Sequence, residues 1–119
     1  MINVKDKLVK ELEKVVSNVS DTYPQSFQTM PAVSYCEEDN RVYEETDEGE
    51  ASSLIRFRID IWHNTSTSPT AVKIDEVISK FGFKRVACSD IGEPTGIKHK
   101  LMRYEAIIDT DQSAIYHKN

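Results

Sequence analysis

The residues able to do chemistry are few and scattered. The three histidines, His63, His99 and His117, have no second histidine or cysteine at metal-ligand spacing, and HxxxH and HExxH are absent. An isolated Asp60 and His63 on one strand is too little for a site. A serine or cysteine nucleophile needs a base and an oxyanion hole, and the chain has neither GxSxG nor a reactive-cysteine signature. Ser66 and Ser68 lie in a loop leading into a helix, where hydroxyls cap backbone amides. No GxxxxGK[ST] or GxGxxG occurs, so no phosphate cradle is visible. Cys36 and Cys88 form no CxxC pair and read as reduced, half-buried strand residues. Catalytic residues, metal and cofactor are therefore all expected to be none.

Restriction-endonuclease-like nucleases supply the enzymatic comparison. They share an α-β-β-β-α-β order and hold a divalent metal with an acid followed by an (Asp/Glu)-x-Lys pair on the next strand. Here the central strand reads Asp60-Ile61-Trp62-His63, with no lysine in place. Basic residues interleaved with aromatics, as in single-strand binders, are also missing.

The charge distribution is more informative. The chain has 119 residues and a net charge of −5. Residues 37–50 carry eight acids against the single base Arg41, a net −7 that leaves +2 for the rest. Glu44, Glu45, Asp47 and Glu48 crowd one turn. Such a segment resists edge-to-edge aggregation, or faces a basic partner, or forms a negative wall past which nucleic acid slides. It does not grip DNA.

The elements that would carry these residues follow from periodicity. In residues 50–62, Ile55, Phe57, Ile59 and Ile61 alternate with Leu54, Arg56, Arg58, Asp60 and Trp62, which predicts a long strand with one dry face. Ser68 as N-cap and Pro69 open a helix whose apolar set is Ala71, Ile74, Val77, Ile78 and Phe81, and Gly82 stops it. An earlier helix carries Val4, Leu8, Leu12, Val15, Val16 and Val19, with Asn3 as cap and an end near Ser17 or Asn18. Residues 20–30 read as a loop pinned by Tyr23 and Phe27. A meander follows: a strand over 32–37, a turn at Asp39-Asn40, a weaker strand over 41–46, and a turn at 47–49 into the long strand. Further strands span 83–89 and 99–109, the latter with Met102, Tyr104, Ala106 and Ile108 inward. Residues 110–119 have no strong pattern and are expected to form a flexible tail.

The expected fold is α+β, in the order α-β-β-β-α-β-β. It is one domain over 1–119, an antiparallel or mixed sheet with both helices on one face. Apolar content of 39% suits a globular domain, and there is no membrane-spanning run or signal-peptide pattern. The opposite face mixes Arg56, Arg58 and Arg103 with apolar side chains, and Trp62 is expected exposed at an interface or at the rim of the core. Aromatic residues and arginine are enriched in protein contacts, so this face points to assembly.

Three stretches carry a resemblance: YPQSFQTMPAVSYCEEDNRVYEETD, RFRIDIWHNTSTSPTAVKIDEVISKFGFKRV and KHKLMRYEAIID. Together they resemble tail completion, or tail terminator, proteins of long-tailed bacteriophages and prophages. The matching features are the proline-led strand with Pro31, Tyr35 and Glu37, the IDIWHN strand end and the Ser/Thr-rich approach to the second helix. The resemblance implies a non-enzymatic virion protein, made in the bacterial host cytoplasm and placed at the head–tail junction. Its implied partners are copies of itself in a hexameric ring, the tail-tube protein and the head-closure or connector protein. DNA would pass through the ring without sequence-specific binding, and no membrane is involved. Glu44, Glu45, Asp47 and Glu48 would then reach a neighbouring ring or line the lumen. Neighbouring head-closure or minor tail proteins, a small metal-dependent nuclease and a ligand-binding module are the alternatives.

Overall fold

A computed structural model describes residues 1–110 and 114–117. The order is α1 (Lys5–Glu13), β1 (Asn18–Asp21), β2 (Ala32–Thr46), β3 (Gly49–His63), α2 (Ser68–Lys80), β4 (Lys84–Ile91), β5 (Lys98–Asp109) and β6 (Ile115–Tyr116). The fold is α+β. Among the described residues the sheet has six strands in the order β1-β2-β3-β5-β4, and β6 pairs with β5 beyond the end of β4. All neighbours are antiparallel except β1 and β2, which run parallel, so the sheet is mixed.

The alternating pattern dictates which face is dry. Ile55, Phe57, Ile59 and Ile61 of β3 are fully buried, and so are the inward residues of β5, Met102, Tyr104, Ala106 and Ile108, to within 1%. Leu8 and Leu12 of α1 and Ile74 and Ile78 of α2 join them in one cluster, so both helices lie on this face. Removing a side chain such as Phe57 would cost about 3–5 kcal/mol in lost transfer energy and cavity.

Three expectations are corrected. The meander of two short strands is one continuous strand, β2, fifteen residues long. The expected Asp39-Asn40 turn is a register shift between Glu37 and Asp39, absorbed against β3 without breaking the pairing. Second, α1 stops at Glu13, not near Ser17: the amides of Val15 and Val16 both reach the Leu12 carbonyl, which closes the last turn. The β-branched pair Val15-Val16 followed by Ser17-Asn18 propagates a helix poorly. Third, Asn18–Asp21, expected as helix end and loop, forms β1. The total of seven main elements therefore agrees with the expectation although two short strands merged and one new strand formed. In the tail, Ile115–Tyr116 pairs with β5, while residues 111–113 and 118–119 lie outside the described residues.

The β2–β3 hairpin sets the shape. Fifteen residues at about 3.3 Å each span roughly 50 Å, which matches a molecule of 53 × 24 × 23 Å. Pairing with β5 begins only at Ser52, which faces Glu44 of β2, so residues 45–50 project beyond β5 as a two-stranded ribbon. The turn, Asp47-Glu48, is flanked by the pair Thr46 and Gly49, and Gly49 takes φ 116°, a conformation that favours glycine.

Candidate functional site

The sheet face opposite the helices carries the polar side chains of β3 and β5. Register places Arg58 beside Arg103, Arg56 beside Glu105, Asp60 beside Leu101 and Trp62 beside His99. The three arginines are brought together as expected, but each is already bound within the chain. Arg56 pairs with Glu105 through two nitrogens, Nε at 2.8 Å and Nη2 closer. Arg103 Nε donates to Glu38 Oε1 at 2.9 Å. Arg58 grips both oxygens of Asp60, at 2.7 and 2.9 Å, and that bond raises the guanidinium pKa. Only Arg56 and Glu105 face each other across adjacent strands, where opposite charges stabilise a ladder; Arg58 and Asp60 lie two apart on β3, and Glu38 of β2 reaches Arg103 of β5 across β3.

A buried network continues from Asp60. His99 Nε2 lies 2.6 Å from Asp60 Oδ2, and its Nδ1 lies 2.7 Å from Glu93 Oε1 on the β4–β5 loop. The His99 and Asp60 side chains are each 6% exposed. Each ring nitrogen thus faces a carboxylate, and neither is turned toward a nucleophile. Cys36 and Thr22 border the same cavity, of about 290 Å³, but the base they would need is turned to carboxylates. Among the described residues no three His, Cys, Asp or Glu side chains are placed to hold a metal ion.

Trp62 caps this network. Its indole stacks on His99 and meets Tyr23 and Phe27 edge-on, at centroid distances of 5.6 Å. It is 5% exposed, so of the two expectations for Trp62 the exposed interface residue is corrected and the rim of the core stands: the 22–31 loop folds over it and takes its place at the surface, with Tyr23 61% exposed. Asn18 holds the loop by donating Nδ2 to the Ser26 and Thr29 carbonyls.

Sequence reading missed His99 and Glu93. It weighed Asp60 against His63, but the His63 Nδ1 instead accepts the Thr65 amide at 3.1 Å. Asp60 and His99 are 39 residues apart and meet only through the β3–β5 register. The signal available was an acid and a histidine on the outward sets of two alternating strands.

Glu44, Glu45, Asp47 and Glu48 are all exposed at the hairpin tip, and none forms an ion pair among the described residues. They stand at one end of the long axis, the arginines near its middle and Trp62 toward the other end. The candidate residues thus form two separate groups and one buried anchor. Cys36 and Cys88 sit on β2 and β4 with β3 and β5 between them, about 14 Å of strand spacing, beyond disulfide reach. Among the described residues no helix is long and apolar enough to cross a membrane.

No protein-family model and no curated protein matches the chain. Among solved structures it is similar to a chain from the virion of a native gene transfer agent (GTA) particle. The two share 14% identity at a TM-score of 0.56, over 86% of this chain and 91% of that one. At that identity the likeness is one of fold.

Proposed function

We propose that the protein is a structural component of a phage-like particle. In the finer form of this reading it is a tail completion protein, which caps the tail tube as a hexameric ring and joins it to the head connector. The observation that carries it is the fold shared over nearly the whole length of a chain from a gene transfer agent virion. The tail-completion resemblance of the sequence, reached from other observations, agrees. A non-enzymatic role fits a histidine whose two nitrogens are both engaged by carboxylates.

In this reading the tip acids Glu44, Glu45, Asp47 and Glu48 reach a neighbouring component, and the internally paired Arg56, Arg58 and Arg103 form a rigid face against which another subunit packs. DNA passes without sequence-specific contact, since unpaired carboxylates repel phosphate.

The test is co-expression with candidate tail-tube and connector proteins from the same genome, followed by negative-stain microscopy. Rings seated on tube ends are expected. Binding to the connector with none to the tube would move the assignment to a head-closure protein, and binding to neither would reject the virion role.

A further inference from the structure

The two ends of the long axis carry complementary unfilled chemistry. At the hairpin end are four exposed carboxylates without cationic partners among the described residues. At the other end, the loop before α2 and the β4–β5 loop enclose a cleft of about 520 Å³. The positive end of the thirteen-residue α2 opens onto it. That end has no acid in its first turn, and Thr67 at the N-cap position makes no side-chain capping bond. The expected cap, Ser68, is instead the first helical residue, and its amide goes to Ser66 Oγ at 3.3 Å.

Thr67 supplies the second, independent observation. It is 6% exposed, lines the cleft, and its hydroxyl has no partner among the described residues. Ser52 Oγ is the only fully enclosed side-chain N or O atom without a partner among the described residues, so the Thr67 hydroxyl is not sealed off, and the cleft is the cavity that Thr67 lines. Lys98 lines the same cleft and has no carboxylate partner among the described residues. The two acids of the wall already have partners within the chain. Asp90 is held by Lys100 at 2.8 Å and Glu93 by His99 at 2.7 Å. The cleft therefore offers a hydroxyl, an ammonium and a helix dipole to one carboxylate.

We propose that the cleft receives an acidic side chain from the hairpin tip of a second copy of this chain. The tip is the densest run of unpaired acid among the described residues, it projects beyond β5, and it lies at the end opposite the cleft. Copies packed head to tail bring one tip to the next cleft. Such a contact is heterologous: it closes into a ring or continues as a filament, according to the rotation between copies. The proposal goes beyond the virion reading, because it concerns how copies touch and holds or fails in solution without any other particle protein.

Sedimentation velocity and amide NMR on the full chain test it. Concentration-dependent self-association is expected at low ionic strength, with shifts at the Thr67 and Lys98 amides, and its loss at about 1 M salt, where the screening length is about 3 Å. Glu44→Gln, Glu45→Gln, Asp47→Asn and Glu48→Gln combined should weaken it by roughly tenfold or more, as should Lys98→Glu alone. Thr67→Asp places a carboxylate in the cleft from within. It should leave the melting temperature equal or higher while removing association. A chain that stays monomeric at millimolar concentration would overturn the proposal. So would undiminished association in the neutral-tip variant, or in a folded Thr67→Asp variant. Capture of tail-tube protein is a separate readout, so neither failure imitates the other.

Discussion

The Trp62 indole lies on the His99 imidazole with centroids 4.3 Å apart and planes 19° from parallel. This contact fastens the aromatic loop above to the Glu93–His99–Asp60–Arg58 chain below. His99→Ala would remove the stack and leave Glu93 without its partner and Asp60 with Arg58 alone. The expected loss is about 2–4 kcal/mol, since breaking a buried charged network strands its remaining members. Urea unfolding followed by the fluorescence of the single tryptophan measures it, and the native emission should also shift. A loss under about 0.5 kcal/mol, the range of an ordinary surface change, would show the network to be idle.

Tyr104 in β5 donates its hydroxyl to Asp75 Oδ1 of α2 at 2.8 Å, while Arg85 of β4 holds the other oxygen of that carboxylate at 3.0 Å. Burial, and then the bond to Asp75, push the phenol pKa up from its usual 10.0. The sign follows. Above pH 10.0 the unfolded chain gives up this proton and the folded chain keeps it, so stability falls as pH rises. Tyr104→Phe should cost about 1 kcal/mol near neutral pH and reduce the alkaline slope. Urea midpoints at neutral pH and above pH 10.0 check both parts, and an unchanged slope would refute the assignment.

What the sequence revealed depended on how local each signal was. The dry face of β3, the inward set of β5 and the core of α2 follow from side-chain spacing alone, because periods of 2 and 3.6 record which side is buried. The hairpin tip was legible from Asp47, Glu48 and Gly49. Two kinds of feature were not. The bulge after Glu37 looks like a turn because Asp39 and Asn40 are turn-formers, and only pairing with β3 keeps the strand running. The contact between Asp60 and His99 depends on register, which is fixed by the whole β3–β5 ladder and not by either segment. Trp62 reads as either an interface residue or a rim of the core because it alternates with Ile61, and what decides between them is cover from a loop over thirty residues earlier in the chain.

Lys5 of α1 reaches Asp21 of β1, Nζ to Oδ2 at 2.7 Å, and ties the helix layer to the parallel edge of the sheet. The hydrogen bond from Lys5 holds the Asp21 pKa below its usual 3.8. With a depressed folded-state value, the contribution is fully present above pH 3.8 and is lost as pH falls below it. Both side chains are partly in water, at 35% and 47% exposure, so solvent screening limits the effect to a few tenths of a kcal/mol, up to about 1. Asp21→Asn should lower the urea midpoint slightly at pH 6, and the difference from the parent should vanish near pH 2. A difference that persists in acid would assign it to the amide's packing and not to the charge.

Gly82, directly after α2, adopts φ 113°, and a Cβ there would run into the Ile115 carbonyl oxygen and approach Ile115 Cγ2 at 2.8 Å. Ile115 belongs to β6, which pairs with Ile108, and the Asp109 amide donates to the Ala114 carbonyl at 3.2 Å. Gly82→Ala therefore carries two separable costs. The left-handed backbone costs an alanine about 1–2 kcal/mol. The clash adds to that unless β6 moves off β5, in which case the Asp109 amide loses its acceptor. Hydrogen exchange distinguishes the two: the Asp109 amide should lose protection in the variant while amides of β5 paired with β3 keep theirs relative to global unfolding. If Asp109 exchanges at the same rate in both proteins, β6 does not shield it in solution, and the cost of the alanine is backbone strain alone.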